Sequence, residues 1–275
     1  MLVCVIGAGT MGRGIAAAAL AAGLDAVLVD VDRSALAAAR TAIERRLERE
    51  GAAGRLAALS LATELEAAVA EADVVIEAVP ELLDLKRDVF ARLRDAAPAG
   101  ALLATNTSTM SVTALAEACG GSPRVIGLHF FNPVHRMALV EVVVGEATSQ
   151  AALAEALELA ARLGKEPVVV RDVPGFVTSR LGLLLGNEAM RLVEEGVASA
   201  PDVDRAMRLG FGHPMGPLEL ADLVGLDARL NNLRSLHARS GLEQYRPPRI
   251  LEALVAAGRL GRKSGGGFYD YGDAG

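Results

Sequence analysis

The 275-residue sequence predicts the α/β class: a mostly parallel sheet domain first, then an all-helical C-terminal domain. Three observations lead there. Over the first two-thirds, short continuous apolar runs rich in Val, Ile and Leu alternate with longer segments of helical spacing. Strands apolar on both faces belong to a parallel sheet covered on both sides. The strand signal then stops at Asp172-Val173-Pro174-Gly175, and only helical patterns follow. Third, a glycine-rich turn sits between the first apolar run and the first helical pattern.

Taken in order, strands are predicted at 2–6, 26–29, 74–76, 102–104 and 125–128, with helices at 11–22, 34–50 and 82–96. Residues 139–144 and 167–170 read as two further strands at the edge of the same sheet, flanking a helix at 150–163. Beyond the join near residue 173, helices are predicted at 176–195, 201–209, 217–223, 228–240 and 248–257, with Gly and Pro at their ends. The tail closes on Lys263-Ser264-Gly265-Gly266-Gly267-Phe268-Tyr269. The domains are therefore set at 1–173 and 174–275.

Composition narrows the classes. A net charge of −6 argues against a nucleic-acid surface as the main business. At 52% apolar but 3% aromatic, with no Trp, the core must be built from Ala, Leu and Val. Two cysteines, Cys4 and Cys119, make neither a disulfide framework nor a zinc site, so no metal is expected. The longest uncharged stretch, 96–116, carries Pro98, Gly100 and Asn106 and is no membrane span. The start, Leu2-Val3-Cys4-Val5-Ile6, lacks a signal peptide's basic flank. The expectation is a soluble, cytoplasmic protein.

Gly7-Ala8-Gly9-Thr10-Met11-Gly12 carries the first functional signal. A lone GxGxxG is weak, but this one has the strand–turn–helix context of a Rossmann-type domain. Gly7 permits the tight turn, Gly9 lets backbone approach a pyrophosphate, and Gly12 lets helix pack on strand. Asp30, at the end of the second strand, suits the adenosine ribose hydroxyls and would repel a 2′-phosphate, which favours NAD over NADP. Arg33 lies close enough to blur that preference.

A nicotinamide site needs a proton acceptor. His129, in Gly127-Leu128-His129-Phe130-Phe131-Asn132-Pro133, stands at the C-terminal end of a strand, where ligands of open α/β sheets gather. Folding the chain back after Asn132-Pro133 would set Glu141 against the second ring nitrogen, fixing its tautomer. The alternative is a hydrogen-bonded strand-end histidine and an exposed Glu141. Asn106-Thr107-Ser108 follows another strand, where its polar groups suit a substrate oxygen; in isolation a hydroxyl-capped turn accounts for it equally well.

These residues carry a resemblance. The glycine turn, Glu77-Ala78-Val79-Pro80-Glu81 with Lys86, Asn106-Thr107-Ser108, the block from Gly127 to Pro133, Leu139-Val140-Glu141-Val142, Pro174-Gly175-Phe176, Pro214-Met215-Gly216-Pro217 and the Lys263 tail run in order over nearly the whole chain. Together they resemble the short-form L-3-hydroxyacyl-CoA dehydrogenases, including 3-hydroxybutyryl-CoA dehydrogenases. The resemblance implies reversible oxidation of an acyl-CoA substrate with NAD by a homodimer formed through the helical domain. It makes His129 the catalytic base, Glu141 its partner and Ser108 a ligand of the substrate oxygen. Thr10, Met11, Asp30, Glu81, Lys86, Ser108, Asn132 and Lys263 join the glycines in the cofactor site. Where the family commonly has Asn to hold the thioester, this chain has Ser179, with Asn187 a candidate stand-in. Arg40, Arg45, Arg46 and Arg49 suit CoA phosphates, but alternate with Glu44, Glu48 and Glu50 as a salt-paired face would.

Overall fold

The computed structural model describes residues 1–272, which divide into two compact units, the first Met1–Val173 and the second from Pro174 on. The first unit runs β1 (Leu2–Ile6), α1 (Thr10–Ala21), β2 (Asp25–Val29), α2 (Arg33–Arg49), β3 (Leu59–Ala62), α3 (Leu65–Val69), β4 (Val74–Glu77), α4 (Leu83–Ala96), β5 (Leu102–Thr105), α5 (Val112–Ala118), β6 (Val125–Phe130), β7 (Leu139–Val144), α6 (Gln150–Arg162) and β8 (Glu166–Arg171). The strands form one sheet in the order β3-β2-β1-β4-β5-β6-β7-β8. Neighbours pair in parallel except β6 with β7. The order reverses between β1 and β4, which opens the crevice where ligands of such sheets bind.

Burial on both faces explains the apolar runs. β4, β5 and β6 are buried at every position, and Val3, Val5, Ile15, Leu20, Leu28, Ile76, Leu102 and Ile126 join one core cluster. In this unit three helices start on side-chain caps: Asp32 accepts from Ser34 N, Ser111 from Ala114 N, and Ser149 from Ala152 N. α1 starts on Gly9, which offers none. Three elements escaped the sequence reading, β3, α3 and α5. Each has seven residues or fewer, too short for a hydrophobic period to declare itself.

The second unit runs α7 (Thr178–Glu194), α8 (Ala200–Phe211), α9 (Pro217–Val224), α10 (Leu226–Ser240) and α11 (Arg249–Ala256). Its core gathers Leu183, Met190, Val203, Leu218, Leu230, Leu233 and Leu251. α7 starts later than the sequence suggested because Gly175 (φ 77°) and Phe176 (φ 48°) take left-handed backbone, which a helix cannot contain. Two buried carboxylates organise the rest. Asp204 accepts from Leu218 N, Glu219 N and the Tyr269 hydroxyl. Asp222 accepts from Phe268 N, Tyr269 N and the Tyr271 hydroxyl, clamping the glycine-rich tail. A Cβ on Gly267 would stand 2.1 Å from the Asp222 carboxylate, so that position must be glycine. Among the described residues, no helix is long and apolar enough to cross a membrane.

Candidate active site

β1 delivers the chain into the glycine turn at the crevice. Gly7 has φ 104° and donates its N–H to Val29 O at 2.7 Å. A Cβ there would meet Ala78 O at 2.7 Å, and one on Gly12 would meet Gly7 O at 1.8 Å. Both glycines are therefore steric necessities of the fold. Gly9 differs, because a Cβ there meets no protein atom within 4 Å. The space over Gly9, with the uncapped first turn of α1 through Thr10 and Met11 beside it, fits a pyrophosphate. Asp30 follows β2, and its carboxylate accepts from Ala8 N at 2.7 Å and Asp32 N at 3.0 Å. The acid thus braces the glycine turn as well as standing at the ribose end. A cavity of about 530 Å³ adjoins it, lined by Arg33, Leu36, Arg40, Ala62, Thr63 and Ala67 among others.

Behind this edge lies a buried ionic network. Glu77, at the end of β4, accepts from Val79 N at 2.8 Å and from the Thr105 hydroxyl at 2.7 Å. Lys86 donates to it at 2.6 Å and reaches Glu81 Oε2 at 3.3 Å. Lys86 is 1% exposed. Its ammonium is held between two carboxylates, Glu77 and the partly exposed Glu81. Glu81 Oε1 in turn takes the turn 107–109: the Thr107 hydroxyl, Ser108 N at 2.9 Å, the Ser108 hydroxyl at 3.4 Å, Thr109 N at 3.2 Å and the Thr109 hydroxyl at 3.3 Å. Burial pushes the Glu81 carboxyl up, but Lys86 and the Thr107 and Ser108 donors outweigh it and hold it below its ordinary value. The Thr107 hydroxyl also accepts from Met110 N at 2.9 Å, so the hydroxyl-capped turn read from sequence is present, with Ser108 half-buried at its middle.

His129 and Glu141 face each other across the antiparallel β6–β7 pairing of the sheet, in register as direct partners. Nδ1 lies 2.8 Å from Glu141 Oε2, and both residues are buried, at 7% and 0% exposure. A carboxylate only accepts, so Nδ1 carries the hydrogen, which leaves Nε2 as the basic nitrogen of the neutral ring. The Phe131 ring packs on the imidazole, with centroids 4.4 Å apart. Asn106 fixes the neighbouring backbone: its N–H donates to Glu77 O at 2.8 Å, and its Oδ1 accepts from Phe130 N at 2.9 Å. Sequence reasoning missed this bracing role, and missed Glu77. Asn132 is exposed beside a cavity of about 200 Å³ that Thr10, Arg13, Arg46 and His135 also line.

The helical unit holds the remaining candidates. Ser179 stands in the first turn of α7, and Lys263 pairs with Asp227 at 2.6 Å. Asn187 is not available to replace an amide at 179. It is fully buried, and its Nδ2 donates to Gln244 O and Arg246 O. Of the arginines on α2, Arg46 is paired with Glu50, as the salt-paired reading expected.

Residues 2–173 match the family described as 3-hydroxyacyl-CoA dehydrogenase, NAD binding domain, and residues 175–271 match 3-hydroxyacyl-CoA dehydrogenase, C-terminal domain. This chain belongs to the 3-hydroxyacyl-CoA dehydrogenase family. The 3-hydroxybutyryl-CoA dehydrogenase of Bradyrhizobium diazoefficiens is 42% identical over 275 residues, covering 97% of this chain and 94% of that one. The 3-hydroxyadipyl-CoA dehydrogenase of Escherichia coli is 42% identical over 278 residues, 98% of this chain but 58% of that longer protein. Among solved structures, (S)-3-hydroxybutyryl-CoA dehydrogenase from Ralstonia eutropha has a TM-score of 0.92 at 38% identity, covering 99% of each chain. As a member of this 3-hydroxyacyl-CoA dehydrogenase family the protein is an NAD-dependent oxidoreductase, and the open glycine turn with its acid at 30 fits that cofactor.

Proposed function

We propose that the chain oxidises L-3-hydroxyacyl-CoA to 3-oxoacyl-CoA reversibly, with 3-hydroxybutyryl-CoA among its substrates. The buried His129–Glu141 pair is the observation that carries this reading. In oxidation Nε2 of His129 takes the C3 hydroxyl proton, while Glu141 fixes the tautomer and stabilises the imidazolium that forms. In reduction the same imidazolium returns the proton to the C3 oxygen. Ser108, held at the mouth of its turn, hydrogen-bonds that oxygen. Bound NAD supplies the hydride acceptor, and NADH the donor in reverse. Gly7, Gly9, Thr10, Met11, Gly12 and Asp30 hold its nucleotide half, and Asn132 borders it. The roles that the resemblance gives to Ser179 and Lys263 belong to the same proposal.

Two surfaces extend the reading. Arg13 and Arg46 line the cavity beside Asn132, and a neighbouring cleft adds Arg162 and Lys165, which supports this side as the place for CoA phosphates. Leu181, Leu209, Phe211 and Val224 are all more than half exposed on the helical unit, which supports a homodimer formed through it in a cytoplasmic enzyme. Light scattering tests the dimer.

The activity itself is tested by nicotinamide absorbance, with acetoacetyl-CoA against free acetoacetate and NADH against NADPH. Rapid oxidation of NADH with the thioester is the expected result. Turnover of the free acid with silence on the thioester would overturn the acyl-CoA assignment and point to Ser179 as the cause.

A further inference from the structure

We propose that Arg229 selects dicarboxylic acyl groups, its guanidinium receiving the terminal carboxylate of a 3-hydroxyacyl-CoA whose thioester stands at Ser179. This deepens the acyl-CoA reading of the site and depends on it.

Arg229 belongs to α10 and is 5% exposed. An arginine brings five N–H donors. Among the described residues its guanidinium finds one acceptor, Gly182 O, 2.7 Å from Nη2. Its Nε is closed off from solvent and has no partner, and no ion pair of the described residues includes it. Burial pushes its pKa down to about 10, so the group is still a cation at neutral pH. Taking a charge out of water is costly unless a counter-ion repays it. An arriving anion would supply that counter-ion.

The surface of α7 is shaped around this group. A Cβ on Gly186 would overlap Nη2 and Cζ of Arg229, so glycine there is what lets the guanidinium lie against the helix. At Gly182 the opposite holds. A Cβ there meets nothing within 4 Å, and the residue is exposed. Open space therefore stands beside the one carbonyl that the guanidinium holds. Leu185, the i+3 neighbour of Gly182, is exposed as well and offers apolar surface to methylene groups.

Ser179 is the third element of the arrangement. Residues 179, 182 and 186 are spaced i, i+3, i+7 on α7 and share one face of it. Helical rise puts 182 and 186 about 4.5 and about 10.5 Å beyond 179, the reach of a short dicarboxylic chain that leaves a thioester at Ser179. The planar fork of arginine pairs with a carboxylate through two parallel N–H bonds. A monocarboxylic chain of the same length would instead set a methyl group against an uncompensated cation.

The test compares 3-hydroxyadipyl-CoA with 3-hydroxyhexanoyl-CoA, which differ at C6 as carboxylate against methyl, by kcat/KM for NADH formation from NAD. In wild type the diacid ester is expected to lead by about tenfold or more. Arg229→Met removes the cation while keeping a chain of similar length, and should bring the ratio of the two substrates to about one. The ratio is the readout because a merely structural arginine would move both values together. Equal wild-type values would overturn the proposal, and that comparison stands even if the variant fails to fold. A preference for the diacid that survives Arg229→Met would overturn it too. Turnover of neither ester would be a distinct failure, of the acyl-CoA reading itself, and would take the proposal with it.

Discussion

Replacing Glu141 by glutamine isolates what its charge contributes to His129. The side chain keeps its size, and Oε1 still accepts from Nδ1, so the ring stays in place and only the charge is lost. A hydrogen bond to a charged group contributes about 1.5–3 kcal/mol, against about 0.5–1.5 for a neutral pair. The difference, roughly 1–2 kcal/mol, is felt when the imidazole is protonated, because that is when the buried carboxylate faces a cation. At 1.36 kcal/mol per tenfold in rate, Glu141→Gln should lower kcat by about 5- to 30-fold. His129→Ala removes the base altogether and should lose ~10²–10⁴-fold. Both are measured as NADH formation from 3-hydroxybutyryl-CoA and NAD, the direction in which the imidazolium forms, alongside NADH affinity, which neither should change. Because Glu141 acts through the ring, the glutamine should cost nothing in a His129→Ala background. A Glu141→Gln enzyme within about twofold of wild type, or one whose loss persists without the histidine, would refute this account of the pair.

The glycine turn separates folding from binding. Gly12→Ala drives a methyl into Gly7 O and should destabilise by about 1–3 kcal/mol or more in urea unfolding, whereas Gly9→Ala, which meets no protein atom, should unfold like wild type and bind NADH poorly. Asp30→Ser removes the acceptor of two backbone N–H groups along with the ribose ligand. It should raise the KM for NADH about tenfold and narrow the preference over NADPH. Glu81 has a folded pKa below its ordinary 4.5. The stability it adds is present above that value and lost as pH falls through the folded one, so thermal scans below about pH 4.5 should show wild type falling faster than Glu81→Gln.

The legible and illegible parts of the site differ for physical reasons. The glycine turn was readable because its constraints are local: each glycine answers a contact or a gap within one strand–turn–helix unit. His129 and Glu141 were readable as candidates, since each sits in a continuous apolar run that demands a strand. Their pairing was read from a fold-back after Asn132-Pro133, but spacing left the unpaired alternative open, because the connection from Phe131 to Ala138 is irregular and fixes no register, whereas a two-residue turn would have. The burial of Lys86 carried a signal that went unread. The residue shares the buried face of α4 with Val89, Phe90 and Leu93, the i, i+3, i+4, i+7 stripe of a core-facing helix. A lysine in that stripe needs buried counter-ions, and Glu77 and Glu81 were both in view. Asn187, eight positions from Ser179 on the same broad stripe of the helix, spends its amide NH₂ on the loop at 244–246 instead.

The position of the dyad follows from the one reversal in the sheet. In a parallel pairing the connection must cross over, usually through a helix, and two residues 12 apart do not become neighbours. β7 instead runs back along β6, which sets residues 129 and 141 directly opposite on one face. The reversal lies two strands beyond β4, and the gap is bridged by polar bonds between strand ends. Gly7 packs on Ala78, Asn106 N bonds Glu77 O, and Asn106 Oδ1 receives Phe130 N, the residue after His129. Each bond joins rigid backbone at the C-terminal edge, so the imidazole and the glycine turn are held to the same scaffold without a mobile loop between them. A base that must meet a hydride-transfer site gains from such fixed spacing, because a misplacement of 1 Å can cost ~10²-fold. The antiparallel strand is therefore the feature that turns a nucleotide-binding sheet into one that can also hold an oriented base.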